Sequence, residues 1–598
     1  MENLLEYKLP KDAYANFDAV SLKQFIINRL NENPQFTDQN YEGSNLSSFI
    51  DIIAYSYHVL LFYLNQTSTE TLFSQTSLYE NMNRIVALLG YKPTGKQTSL
   101  LNVNCVADAG LSIGSYKIKK YSYFLIDNIQ YTILNDFVFE KSTAATEEIE
   151  SINNNLVLYQ GSVKEYPIYT ATGEEYESLP IVVDNIVDDG KFIVGESISV
   201  FVKEIDDDTW YEYSEENNLY LSGDNDRIYD LRLNENGHYE VKFGNGILGK
   251  KLNVGDQVAI FYILSDGTSG IVSKNSINGK KLFEYNSQQY NEIYQQIYDT
   301  LSTKIDITNS SLLTFSNSLP SSTIADAESV EDIRNNLPIL NNTNIRLVTE
   351  ADYDTYLKKS FPNIINSAKT VSNTRYIQEY LQYFYDICVD PNKTTRVLLN
   401  NVNFADSCDF NNVNIFIVPK FTLKSDASYP QFLPNTFKNI IIDNISERKM
   451  ISHEIVPRDA IYMAFDIGFS SKNPSVSIKN TSKLRIVRNL SNKISKEILR
   501  NRVKDTILDF FASENNSLGG KIDLSTLTSN ILKIEGVDSI KTVNGNEIFN
   551  GISFISWNPL YEDSDIDYVT QTITLPFFKF PYFYSPESLI NKIEVIDE

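Results

Sequence analysis

The chain has 598 residues and a formal net charge of −25, with 42% hydrophobic and 22% charged side chains. That is enough length for several domains and an ordinary globular composition, which excludes wholesale disorder. The acidity argues against nucleic acid and anionic membrane as partners, since both demand a basic face; three cysteines (Cys105, Cys388, Cys408) and three histidines (His58, His238, His453) leave little for a disulfide scaffold or a Cys/His metal site.

Residues 1–95 read as a helical domain. The first residues, Met1 to Tyr7, are acidic, so no signal peptide is expected. Ser21 and Gln24 have capping-box spacing, with Leu22, Phe25, Ile26 and Leu30 following at helical intervals. Gly43-Ser44-Asn45 opens a second helix, expected to run to about Asn65. Ser77 and Glu80 are expected to cap a third, which carries Leu78, Met82, Ile85 and Leu89 on one stripe and stops at Gly90 and Pro93.

The second helix is the informative one. Asp51, His58 and Asn65 form a narrow polar stripe, and opposite it Leu46, Phe49, Ile53, Tyr57, Leu60 and Leu64 follow a near-heptad seam. The flanks (Ile50, Ile52, Val59, Leu61, Tyr63) are apolar as well, and so is Phe62 beside the polar stripe. At about 16 residues the apolar run Phe49 to Leu64 is short for a membrane span, which needs about 20. It is expected to be a covered helix, either in its own domain core or in a bundle shared with another chain.

From 96 to 270 the period changes to two, as in Leu101, Val103 and Cys105 or Tyr131 and Ile133. This predicts an antiparallel β region of two subdomains. Its acidic, loop-rich part, 140–230, is expected to be an exposed insertion. Residues 271–345 read as linker or extended chain, with one helix over 285–301. Residues 346–460 read as an α/β domain: Thr349 caps a helix with Asp352 near its dipole, and Asn414 to Val418 is a strand. Residues 461–556 read as a small α/β module, with a strand over 461–467 and helices over 494–511 and 524–534, the last stopped at Gly536.

Residues 557–598 are expected to form a C-terminal arm. Phe577, Phe578, Phe580, Tyr582, Phe583 and Tyr584 crowd together between Pro576, Pro581 and Pro586. The prolines argue against a place inside a regular sheet, and exposed aromatics argue for a cover. That cover is either the chain's own domain or, the reading adopted, a neighbouring subunit.

Chemistry-bearing motifs are few. Gly244, Gly246 and Gly249 match G-x-G-x-x-G, but Lys250 to Asp256 is turn chemistry followed by a strand, not the helix a phosphate site needs. They are expected to form a structural turn with at least one positive φ. Glu562 to Asp567 is acidic, but Tyr568 and Thr574 stand where a calcium loop wants Gly and Glu. No catalytic residues, no cofactor and no metal are predicted, and the chain is not expected to be an enzyme.

The segment Val241 to Tyr262, with the turn Ser265 to Gly270, resembles the baseplate J-like family of contractile phage tails. Arg346 to Tyr353 with Phe361 to Ala368, and Gly519 to Ser525 with Ile534 to Val537, are similar to further segments of that family. Glu42 to Tyr55, Asn65 to Thr67, Ala87 to Gly95 and Phe554 to Pro559 resemble its T-even-type baseplate wedge subunits. The resemblance is weak only across 140–230 and 285–345. It implies a multidomain α+β chain: an N-terminal helical bundle segment, an antiparallel β middle and C-terminal α/β modules of baseplate J-like type. It also implies a structural virion protein of the tail baseplate, assembled in the host cytoplasm. Such subunits form a homodimer within each wedge, join a helical bundle partner and other wedge proteins, and link with neighbouring wedges into a ring around the hub that rearranges on contraction. On this reading the partner-facing residues are Leu46, Phe49, Ile53, Tyr57, Leu60 and Leu64, plus the six aromatics of the arm. An acidic glycosidase and a carbohydrate-binding adhesin are the rival readings.

Overall fold

A computed structural model describes residues 19–31, 44–149, 156–182, 190–216, 219, 222–234, 237–298, 305–306, 312–342, 346–387, 412–420, 431–446, 448–471, 475–489, 494–512, 515–561 and 565–597. Cys388, Cys408 and residues 562–564, which open the calcium-like string, lie outside the described residues. The chain divides into two compact units. One comprises Met1–Lys92, Asn234–Gly237 and Ser329–Arg334; the other holds the remainder.

The first unit is helical. Helix α1 spans Ala19–Asn31, so Ser21 lies inside it rather than at its cap. Helix α2 spans Asn45–Glu70; Ser44 caps it, its Oγ accepting the Ser47 N–H at 2.9 Å. α2 runs five residues beyond Asn65, where Thr67 Oγ1 donates back to the Tyr63 carbonyl and Gln66 Nε2 donates to Glu70. Helix α3 spans Tyr79–Leu88 and is preceded by Leu78, which supplies no side-chain cap. Ser77 is diverted instead: its hydroxyl and N–H both donate to Glu70. Gly90 takes φ +74°, a conformation that ends the helix without a Cβ penalty. Buried apolar side chains here are Ile50, Ala54, Met82, Val86 and Tyr91.

The second unit is mostly sheet. Strand β1, Leu100–Ala107, sits in a seven-stranded antiparallel sheet with Tyr123–Ile126, Ile129–Ile133, Leu156–Gln160 and Leu313–Ser316 among its members. An eight-stranded sheet is built around β2, Phe192–Glu204, and β3, Gln257–Ser265. β3 is buried on both faces. Val258, Ile260 and Tyr262 join one core, with Val200 and Val202; Ala259, Phe261 and Ile263 join another, with Phe201 and Trp210.

This corrects the expected insertion. The described part of 140–230 is not an exposed excursion: most of its strands, from Ser162–Glu165 to Ile228–Leu233, belong to that sheet, and Glu147–Ile149 and Leu156–Gln160 belong to the seven-stranded one. Among the described acidic residues, Asp206 to Asp208 sit in a hairpin turn, and Glu204 meets Arg227 at 2.9 Å and Lys250 at 2.7 Å. Counting charge hides the buried alternate positions. The linker expectation is also corrected in part. Helix α4, Gln288–Ile297, falls inside the predicted helix, but α5, Val330–Asn342, stands where extended chain was expected, with Pro338 inside it.

Helix α6, Glu350–Ser360, has the predicted cap: Thr349 and Asp352 form a reciprocal capping box. It precedes a three-stranded sheet of β4 (Ile365–Ser372), β5 (Asn412–Pro419) and β6 (Glu454–Asp459). Strand β7, Ile461–Ile467, follows, buried along its whole length. Helices α7, Lys496–Phe510, and α8, Leu524–Leu532, cover a core that includes Phe465, Ile486, Leu499, Val503, Leu527 and Phe554.

The C-terminal arm is the largest correction. Lys579–Phe583 is a strand, β8, hydrogen-bonded in parallel to β7 with Tyr462 opposite Phe580. Phe577, Phe578, Phe580, Tyr582 and Phe583 are buried in the chain itself, and only Tyr584 is substantially exposed. The prolines were correctly read as incompatible with a central strand. But β8 is an edge strand, the one sheet position where a missing N–H costs no ladder bond.

Candidate assembly surface

The described residues offer no metal cluster: no three His, Cys, Asp or Glu side chains are placed to share an ion. Cys105 is buried, and burial pushes its thiol up to about 12, away from reactivity. A literal G-x-S-x-G string, Gly110 to Gly114, escapes the sequence reading. It leads into the strand Gly114–Ile118 rather than a helix, and the Ser112 hydroxyl lies 2.8 Å from Tyr116 Oη. That is not an elbow presenting a nucleophile.

The glycine turn is structural in its geometry. Gly246 and Gly249 take φ +86° and +78°. A Cβ on Gly244 would stand 2.3 Å from the Gly249 carbonyl, so this position needs glycine for space rather than for φ. Gly246 N–H donates to the Gly249 carbonyl at 3.0 Å, closing the loop on itself. A loop whose amides face inward offers no cradle for phosphate.

What the chain does present is the open face of α2. Of the six predicted seam residues, Phe49, Ile53, Leu60 and Leu64 are each more than half exposed, Tyr57 is exposed, and Leu46 is half-buried. Ile52 and Tyr63, flanking the seam, and Tyr55 and Phe62, on the far side of the helix, are exposed as well. The helix turns its narrower side inward: Ser47, Ile50 and Ala54 are buried. α1 packs on α2, and Lys23 of α1 reaches Asp51 at 2.7 Å. Asp51 therefore lies toward α1, and the seam is left open among the described residues. The expected covered helix is thus left open along its seam by the described residues of its own unit. Among the described residues α2 is also the one helix long and apolar enough to cross a membrane by length and composition.

The end of α2 is held by a compact device. Glu70 accepts from Ser77 Oγ at 2.5 Å, from the N–H groups of Ser77 and Leu78 at 3.2 Å, and from Asn81 Nδ2 at 3.3 Å. These donors, the Ser77 hydroxyl above all, hold its carboxyl down at about 2. Arg334 donates to the carbonyls of Phe73 and Thr76 in the same turn. The turn between α2 and α3 is thereby fixed, and with it the direction in which α2 projects.

No family model matches the chain. Among curated proteins it is similar to the baseplate wedge protein gp6 of Enterobacteria phage T4, 24% identical over 376 residues, which is 59% of this chain and 51% of the relative. The chain thus spans about half the length of the curated relative it matches. This likeness bears out the resemblance carried by the motifs. Among solved structures, the cryo-EM structure of the anti-feeding prophage baseplate, 6-fold symmetrised, aligns over 93% of this chain and 90% of its own at 8% identity, but a TM-score of 0.29 does not fix a shared fold.

Proposed function

We propose that this chain is a structural component of a contractile-tail baseplate, of wedge type, acting in the virion tail and assembled in the host cytoplasm. Its task is to hold other subunits, and the observation that carries this is the open apolar face of α2 in a chain similar to a baseplate wedge protein. Soluble monomers rarely leave so many large apolar side chains on one helix. Near-heptad spacing suits helical partners, which pack knobs into holes along such a seam. The occupants proposed are a second copy of this chain and a helical partner, which together close a small bundle and allow wedges to join in a ring.

Each fully buried Leu or Phe contributes roughly 1.5–3 kcal/mol, so the seam residues together make a strong interface. Leu60→Asp is expected to abolish co-purification with a helical partner and to leave the chain eluting at its own 68.2 kDa. Normal assembly by Leu60→Asp would refute the bundle reading. Recovery of the unmodified chain in the membrane pellet, with none in the soluble fraction, would assign α2 to lipid instead.

A further inference from the structure

Where the two large sheets meet, a carboxylate stands with nothing to neutralise it. In β2 the pairing with β3 slips between Val194, opposite Ile263, and Ser199, opposite Phe261, so that Gly195, Glu196, Ser197 and Ile198 stand against Tyr262 alone. Such a bulge re-aims side chains. Ser197 locks it, its Oγ donating to the Val194 carbonyl at 2.6 Å and accepting the Ile263 N–H at 2.8 Å. The bulge carries Glu196 to the wall of a crevice of about 50 Å³, with Tyr159 and Tyr239 in the same lining. Two glycines make the room: a Cβ on either Gly95 or Gly195 would run into the Tyr239 hydroxyl. Among the described residues nothing hydrogen-bonds to Glu196 or forms an ion pair with it. Its side chain is open to the crevice, not sealed in. Protein closes round it all the same: burial, and then the Glu215 carboxylate, push its carboxyl up to about 7. Burial pushes the Tyr159 phenol up and the Glu196 charge pushes it further, which marks the two as neighbours.

The rest of the lining selects the ligand. Thr98 Oγ1 is shared between the Gln160 carbonyl at 2.9 Å and Ser265 Oγ at 2.8 Å. Asn363 Nδ2 donates to the Thr98 carbonyl at 2.8 Å, Gln97 Nε2 to the Ser360 carbonyl at 2.8 Å, and the Thr94 N–H to Glu328 at 3.1 Å. Lys96 turns its ammonium to Asp326, 4.0 Å away, and over the Phe192 ring, and it is not among the charges that act on Glu196. An anion therefore finds these donors spent and meets a negative charge. A divalent metal ion wants several oxygens, and the described residues gather no such set. An apolar or neutral ligand leaves the enclosed charge uncompensated. An organic cation pairs with it, and tyrosine rings attract one as well. The hydroxyls of Thr94, Tyr159 and Tyr239 accept as readily as they give, which suits the three donors of an ammonium. The volume is a few water molecules' worth, so it takes a compact ammonium sooner than a planar guanidinium.

We propose that this crevice receives the ammonium end of a lysine side chain from another protein chain, with Glu196 as its counter-ion. Every lining residue belongs to the second unit, so the proposal does not rest on the α2 seam.

The test is saturation-transfer NMR on the full-length chain with Nα-acetyl-lysine N-methylamide, a lysine as it stands in a chain, and with the matching derivatives of norleucine, arginine and glutamate as controls. The lysine probe is expected to bind saturably in the millimolar range, and each control more weakly. A surface as acidic as this one attracts any cation, and pH separates that attraction from the crevice. Between about pH 6 and about pH 8 ordinary carboxylates and lysine keep their charge, so diffuse attraction stays flat. Glu196 gains its charge in that window, so binding in the crevice should rise by about tenfold as pH rises. Histidine also titrates there, and His238 stands beside Tyr239 in the chain. Glu196→Gln keeps His238 and the shape of the side chain, and it should abolish the rise along with most of the affinity. A rise that survives in Glu196→Gln, a lysine probe that shows no rise in the unaltered chain, or one that binds no better than the norleucine or arginine control overturns the proposal. Lys96→Met should leave binding unchanged. A gain in that variant would mean that Lys96 fills the crevice in the free chain, and it overturns the proposal too.

Discussion

Two segments of this chain look alike in sequence and end in opposite places. The seam of α2 and the run 577–584 are both dense in large apolar and aromatic side chains, and both call for a cover. The C-terminal run finds its cover at home: five of its six aromatics are buried, docked as β8 against β7. The α2 seam finds none among the described residues of its own unit. Apolar density states that a partner surface is needed, not which molecule provides it. The deciding factor is whether the fold leaves a complementary edge free. β7 offers one, and parallel pairing satisfies the backbone of β8 as its rings enter the core. Nothing comparable lies over Phe49, Ile53 and Leu60 within the described helical unit.

The comparison is sharpest under deletion. Removing 575–598 takes away β8, the strand Ile593–Asp597 and the buried Phe577, Phe578, Phe580, Leu589 and Ile593. Several such side chains at roughly 1.5–3 kcal/mol each exceed what a typical domain has in reserve. The truncated chain is expected to aggregate or to lose its main melting transition by calorimetry. A truncated chain that melts like the full one but fails to assemble would restore the arm to a neighbouring subunit.

A matched pair of substitutions separates the two regions more gently. Phe580→Ala should cost about 3–5 kcal/mol of stability, as buried Phe truncations do. Leu60→Ala, at an exposed position, should move the melting point of the isolated chain hardly at all while weakening assembly. Equal melting losses for the two would show that α2 is covered by its own chain after all.

The smallest effect concerns how α2 is aimed. Glu70 is held at about 2 against its usual 4.5, so its contribution to the native turn is complete above pH 4.5 and fades as pH falls toward 2. Hydrogen-exchange protection at Ser77 and Leu78, whose amides donate to it, should drop across that window. Glu70→Gln should lower protection at neutral pH and flatten the pH dependence. Unchanged protection in the variant would mean that Arg334 alone fixes the turn.

Much of the fold was legible because local chemistry and tertiary role agree. Thr349 and Asp352 cap α6 as their spacing demands, Ser44 caps α2, and the apolar run 461–467 is a buried strand. Reading failed where a residue had a stronger suitor elsewhere. Ser77 has cap spacing to Glu80, yet Glu70, across the turn, takes it. The region 140–230 looked solvated because its acids outnumber its strand signals, although Phe201, Val202 and Trp210 are core. The proline-broken C-terminus hid an edge strand. For the candidate sites, the seam was visible as periodicity, and its exposure was not, because burial is a property of the assembled chain.

The pairing of β7 with β8 also carries a consequence in time. The two strands are separated by on the order of a hundred residues, which themselves build helices α7 and α8 in between. Closing so long a loop is entropically expensive until the intervening core has formed. β8 is therefore a late latch: it closes onto an edge that must wait for it. Until it closes, the β7 edge stands open as a template for any extended segment nearby, so the interval before latching is when this chain is most exposed to pairing with the wrong copy of itself.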